Sequence, residues 1–301
     1  MKLRAATRGS PLARWQTDHV AGSLMAVVPG LEIETVVVET TGDRMVDTPI
    51  HQMGGKGVFV KEVQAAVLEG RADLAVHSAK DLPGASIDEL VLAAVPPRGD
   101  PRDALVGHGL DSLPDGATVA TGSVRRRAQL SHRRPDLHLV ELRGNIGTRL
   151  AKVGQFDAIV MAAAAIDRLG IKRSDIFRLS VHEMLPQVGQ GALAVECRRR
   201  DGEIRAMLSL IEDVVSRRAV DAERAFLVEL GGDCDLPAGA HAMIVDDRVE
   251  LTAMLASLDG RTVLNATGSG ADADVVGRSA ARTLLVDRGG AALLGADELR
   301  P

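Results

Sequence analysis

The stretch Ala72-Asp73-Leu74-Ala75-Val76-His77-Ser78-Ala79-Lys80-Asp81-Leu82-Pro83 decides the fold. Residues 72–76 are a short run of small and branched side chains, mostly apolar, the pattern of a buried strand. The run breaks into an imidazole, a hydroxyl, an ammonium and a carboxylate before Pro83 forces a turn. In an α/β sheet, ligands meet the protein just beyond the carboxyl ends of strands. Asp81 is therefore the candidate reactive carboxylate, and His77, at the strand end, is assigned a structural role.

The same strand-then-helix rhythm extends in both directions. Residues 2–7 read as a strand, and Ser10-Pro11 as an N-cap with proline at the first helical position of a helix running to about residue 28. Residues 32–40 are a β-branched strand. Residues 42–57 are a long glycine-rich connection of the kind that serves as a lid. A helix over 58–69 returns the chain to the central stretch. After a strand at 91–95, the linker Pro96-Pro97-Arg98-Gly99-Asp100-Pro101 precedes a second series. It has strands at 117–121, 137–142 and 157–161, with helices at 124–134, from 146, and up to 169. A strand at 191–197 and helices at 202–211 and 217–230 follow. From about residue 214 the pattern changes to strands at 248–255 and 262–267 and a helix at 273–287, a separate small α+β unit.

Composition narrows the function. A chain of 301 residues can bury two or three cores. Its net charge of −5 and lack of tyrosine argue against a nucleic-acid binder. No long apolar stretch could span a membrane, and the first residues are too charged for a secretory signal, so a cytoplasmic location is expected. Cys197 and Cys234 have neither metal-site nor disulfide-framework spacing, and no metal is expected.

Four strand-end junctions share one chemistry: TRGS (7–10), HSAKD (77–81), TGSVRRR (121–127) and LRGNIGTR (142–149). Small residues at helix starts expose amide N–H groups that favour anions. Arginines in a first helical turn, as at Arg125, Arg126 and Arg127, oppose the helix dipole by about 0.3–1 kcal/mol each. An anionic ligand reverses that sign, since a charge-assisted hydrogen bond contributes about 1.5–3 kcal/mol. Solvated arginines explain any one junction; four of one kind point to an anionic ligand, a carboxylate or phosphate, held by planar guanidinium forks. Cys234, in GGDCDLPAG (231–239), lies in a loop between acidic neighbours that disfavour a thiolate. A turnover nucleophile fits poorly there. A surface cysteine without a role and a covalent anchor whose thiol needs to react only once are the other readings.

The segments ATRGSPLARWQ (6–16), GGKGVFVKE (54–62), HSAKDLP (77–83), GSVRRRAQLSHRRPDL (122–137), LRGNIGTRL (142–150), LPQVGQGALAVECR (185–198) and GGDCDLPAG (231–239) resemble, in order, the hydroxymethylbilane synthase (porphobilinogen deaminase) family. Asp233, Asp235, Ala238 and Gln52 depart from its usual pattern.

The resemblance implies an α/β fold of three domains, the first two periplasmic-binding-protein-like with mixed sheets flanked by helices, the third a small α+β domain. Their implied limits are 1–97 with 190–212, 98–189, and 213–301. It implies a cytosolic, monomeric transferase of tetrapyrrole (heme) biosynthesis that joins four porphobilinogen molecules head to tail. The implied cofactor is a dipyrromethane, thioether-linked to Cys234. Asp81 matches the catalytic aspartate. Ser78, Lys80, Asp81, Thr121, Ser123, Arg125, Arg126, Arg143 and Gly144 match cofactor contacts; Arg8, Ser10, Arg149, Arg168 and Gln190 match substrate contacts.

Two other readings start from the same residues. A two-domain receptor closing on a small anion would also need the βα halves and the arginines, but leaves the loop cysteine without a task. A regulatory domain using SVRRRAQLSHRR (123–134) on DNA requires a basic face that the net charge does not suggest.

Overall fold

The apolar runs become strands, and the capped runs between them become helices. The computed structural model describes residues 1–44, 57, 59–84, 87–231 and 236–294. Strand β1 (Lys2–Arg8) leads into helix α1 (Pro11–Val27), where the Ala13 amide donates to the Ser10 hydroxyl and proline occupies the first turn. Next come β2 (Glu32–Val38), the short α2 (Thr41–Arg44), α3 (Lys61–Leu68) and β3 (Leu74–Ser78). A single 3-10 turn, Ala79–Asp81, follows β3 directly. After β4 (Leu90–Ala94), a second series has β5 (Asp103–Gly107), β6 (Thr118–Ala120), α4 (Val124–Arg133), β7 (His138–Val140) and α5 (Ile146–Leu150). It ends with β8 (Ala158–Ala162), α6 (Ala163–Arg168) and β9 (Ile176–Arg178). The remainder is β10 (Leu193–Arg198), α7 (Gly202–Leu208), α8 (Val214–Glu229), β11 (Ala238–Val245), β12 (Arg248–Ala256), β13 (Val263–Gly270), α9 (Ala273–Arg282) and α10 (Ala291–Leu294).

Two mixed five-stranded sheets share one topology, β2-β1-β3-β10-β4 and β7-β6-β8-β5-β9. In each, three strands run parallel through crossovers, and the fourth is antiparallel. That antiparallel strand is always the one that has just arrived from the other sheet: β10 follows β9, and β5 follows β4. The central stretch explains why β3 reads as continuously apolar. Leu74 and Val76 join Leu3, Leu24 and Val195 in one core, while Ala75 faces Ala6, Val63 and Val67 in another. Burying a leucine of this kind contributes about 1.5–3 kcal/mol. The third sheet, β11-β12-β13, is an antiparallel meander whose inner face packs on Phe226 of α8 and Ala280 of α9. Gly277 permits that contact, since a Cβ there would lie 2.1 Å from the Ala222 carbonyl oxygen.

Three strands were absent from the sequence expectation: β5, β9 and β11. The first two have five and three residues, too few to show a period. Strand β11 is rich in glycine and alanine, residues with little strand preference, and forms because β12 supplies its pairing. Most of the expected lid at 42–57, apart from the start and Gly57, lies outside the described residues, as does Cys234.

The two segments that cross between the large sheets run side by side. The Gly99 amide donates to the Gly191 carbonyl (3.0 Å), and Gly191 has φ of 86°, with space for no side chain because a Cβ would sit 2.6 Å from Gly99 O. Arg98 of the first crossing grips buried Glu223 of α8 through both guanidinium ends (2.6 and 3.1 Å). Glu223 also accepts from the amides of Gly189 (2.7 Å) and Ala242 (2.9 Å), so one carboxylate ties both crossings to the third sheet.

Candidate active site

The parallel strands of both large sheets end on side chains of the four junctions. From the first sheet, Arg8, Ser10, Gln16, Phe59, Ser78 and Asp81 line one recess. The Arg8 guanidinium lies 4.2 Å from the centre of the Phe59 ring, a cation–π contact that holds it over the recess. The Ser78 hydroxyl accepts from Gln16 Nε2 (2.8 Å). Asp81 reaches the recess because the strand tightens into a 3-10 turn, closed by the Leu82 amide on Ala79 O (3.2 Å).

Lys80, on the same turn, donates to Gln190 Oε1 (3.2 Å). Burial lowers its pKa to about 8, with the charge of Arg126 acting in the same direction and Asp81 and Asp103 opposing. Lys80 thus lies within electrostatic reach of arginines at the ends of the second sheet. Arg149 responds to the same groups: burial first, then Arg126 and Arg143, pull its pKa down to about 10, while Asp81 raises it. Its Nε donates to Gly144 O (2.8 Å), and Gly144, at φ of 108°, is pressed against Thr148. Arg143 stands 3.5 Å from Glu141, and burial lowers its pKa. Cations that disfavour one another in a cleft are arranged for an anionic ligand.

Arg125 and Arg126, expected as cofactor contacts, already meet a carboxylate of the protein itself. Both are buried and turned onto Asp103, the first residue of β5. Arg125 Nη2 lies 2.8 Å from Asp103 Oδ2, and Arg126 donates to Oδ1 through Nε (3.1 Å) and Nη2 (2.7 Å). Further bonds run from Arg125 to Leu185 O (2.6 Å) and from Arg126 to Val160 O (3.0 Å). Part of the dipole cost noted for this helix start is therefore offset by a protein carboxylate. Burial would raise the Asp103 pKa, but the two arginines outweigh it and hold it at about 2. Arg125 Nε remains buried without a hydrogen-bond partner among the described residues, beside Gly239 at the exit of the cysteine loop.

The remaining predicted residues divide by role. Ser10 and Ser123 cap α1 and α4, accepting from the amides of Ala13 (3.3 Å) and Arg126 (3.4 Å). Thr121 is buried and accepts from the Ser123 amide (3.3 Å). Gln190 is fully buried, donating to Pro101 O (2.8 Å) and Asp103 Oδ1 (2.9 Å), so it joins the crossing segments to Lys80. Arg168 donates to Gly191 O (2.6 Å) and lies 5.7 Å from the Trp15 ring centre; burial lowers its pKa to about 10. His77 is buried against Glu196 (3.2 Å), which also accepts from Gln64 (2.8 Å), consistent with a structural role. Sequence reasoning missed Asp103, Phe59 and Gln16. A carboxylate opening an apolar strand directly after the linker was the available signal for Asp103.

A family model described as porphobilinogen deaminase, dipyromethane cofactor binding domain, matches residues 3–206; another, porphobilinogen deaminase, C-terminal domain, matches 218–286. The porphobilinogen deaminase of Syntrophotalea carbinolica is 43% identical over 306 residues, covering 99% of this chain and 97% of that protein. That of Syntrophobacter fumaroxidans is 44% identical over 290 residues, covering 94% of each. Among solved structures, the methionine-binding protein MetQ overlays with a TM-score of 0.45 at 13% identity, over 72% of this chain and 92% of that one. A probable amino-acid ABC transporter extracellular-binding protein, ytmK of Bacillus subtilis, gives 0.40 at 10% identity, over 70% and 90%. On the matches that span nearly its whole length, the chain belongs to the porphobilinogen deaminase family.

Proposed function

We propose that this chain is a cytoplasmic, monomeric hydroxymethylbilane synthase that condenses four porphobilinogen molecules head to tail, releasing one ammonia at each step and adding one water at the end. When bound, the dipyrromethane supplies the pyrrole carbon to which the first substrate is joined and tethers the product through Cys234. The chain's own residues carry the rest. Asp81 faces the pyrrole N–H, stabilises the positive charge that develops as the aminomethyl C–N bond breaks, and relays the proton lost when the new C–C bond forms. Arg8, Arg143, Arg149 and Lys80 hold the acetate and propionate side chains. Arg125 and Arg126 back them from the buried side, with Arg168 and Gln190 bordering the crossings. Ser10, Thr121 and Ser123 act chiefly by shaping the helix starts.

The observation that carries the reading is the hydrogen-bonded chain from Lys80, beside Asp81, through Gln190 and Asp103 to Arg126, which joins the two large sheets. Arg125 Nε, buried without a hydrogen-bond partner among the described residues, also suits a carboxylate-bearing group. We further propose domain limits of 1–97 with 190–212, 98–189, and 213–301, one sheet falling within each. The family assignment favours the transferase over a two-domain anion receptor.

Intact-protein mass is the test. Expected is an excess of two linked pyrrole units over the chain, lost in Cys234→Ala, together with ammonia release from porphobilinogen. A bare-chain mass with no ammonia release rules the reading out.

A further inference from the structure

Two guanidinium groups that would be expected to offer all their charge to a ligand instead share a buried carboxylate. Asp103 has no exposed surface and contacts Arg125 and Arg126 together, on a part of β5 that the crossing segment delivers. Through Gln190 Nε2 (2.9 Å) the same carboxylate is joined to Gln190, whose Oε1 accepts from Lys80 (3.2 Å). Asp103, the arginine pair, Gln190 and the ammonium beside Asp81 thus form one connected unit spanning both large sheets.

The electrostatic consequence is a reduction of charge. With Asp103 ionised, the three groups together carry one net positive charge, and several of the arginine N–H donors are taken by Asp103, Leu185 O and Val160 O. A site built for the tightest grip on carboxylates would leave both guanidinium groups unopposed. The growing product gains two carboxylates with each pyrrole, so a grip that fits a short chain would hold a long one too strongly to let it move.

We propose that Asp103 is a positioning residue that limits the hold of Arg125 and Arg126 on the growing anionic chain, so that the chain can shift after each addition. The proposal rests on the transferase reading above. Asp103 touches neither the substrate nor the reacting atoms in this role and acts only through the arginines.

The test uses the cofactor-bearing protein and porphobilinogen, comparing wild type with Asp103→Asn, which keeps the shape and removes the charge. Expected is KM unchanged or lowered, kcat reduced roughly tenfold, and accumulation of enzyme-bound intermediates in the intact mass spectrum. Asp103→Glu, which keeps the charge, is expected to retain the wild-type distribution of chain lengths. If Asp103→Asn does not fold, Asp103→Glu is read alone. A raised KM with unchanged kcat in Asp103→Asn, or stalling in the charge-keeping Asp103→Glu, overturns the proposal. Failure of the transferase reading is distinct, because wild type itself would then lack the pyrrole adduct and release no ammonia.

Discussion

Lys80, next to Asp81, carries a charge that is sensitive to pH near neutrality. Its pKa of about 8, against an ordinary 10.5, means the ammonium is present below pH 8 and lost above it. If that charge helps hold carboxylates, kcat/KM falls as pH rises through about 8. Lys80→Arg moves this limb to higher pH, because a guanidinium stays charged. A pH–rate profile of both proteins checks the expectation. Stability changes in the opposite direction. A lysine whose folded pKa is depressed costs stability below about pH 8 and regains it as pH rises towards 10.5, so Lys80 cannot cause unfolding in that window. For Asp81 the expectation is simpler. Asp81→Asn keeps the turn and the adduct on Cys234 but lowers ammonia release by roughly 10²–10⁴-fold. Near-normal release would contradict the assigned role.

The crossing segments are the elements on which the cleft depends, and their glycines are stereochemical requirements. Gly191→Ala would press a Cβ onto the Gly99 and Asp100 carbonyl oxygens at 2.6 and 2.9 Å and strain a φ of 86°. A loss of about 1–3 kcal/mol is expected in thermal unfolding. Gly22→Ala, in the middle of α1 with open space around it, is expected to gain about 0.5–1 kcal/mol instead. The sequence revealed elements whose signal is local. Ser10-Pro11 marked the start of α1, and the apolar run before His77 marked β3. It did not reveal β5 or β9, whose pairing partners lie far along the chain, or the direction in which Arg125 and Arg126 turn. The guanidinium chemistry was visible at the helix start. The carboxylate that receives it was not, because Asp103 lies 23 residues earlier than Arg126 and 87 earlier than Gln190.

At the scale of the whole molecule, Glu223 joins parts of the chain that share no sheet. It holds Arg98, Gly189 and Ala242 at once. Glu223→Gln leaves a largely buried Arg98 without its counter-charge, and a loss of about 3–5 kcal/mol in urea unfolding is expected. A midpoint unchanged from wild type would refute the clamp. The strand order has a further consequence, for synthesis. Strand β10 lies between β3 and β4, yet ends at Arg198, after the whole second sheet has been made. The second sheet has all its strands once Arg178 has left the ribosome, whereas the first, begun earlier, must wait with a gap in its middle. Of the two large sheets, the one that starts first is thus completed second, and the strand that leads into Asp81 gains its second neighbour only when the chain has returned from building the other.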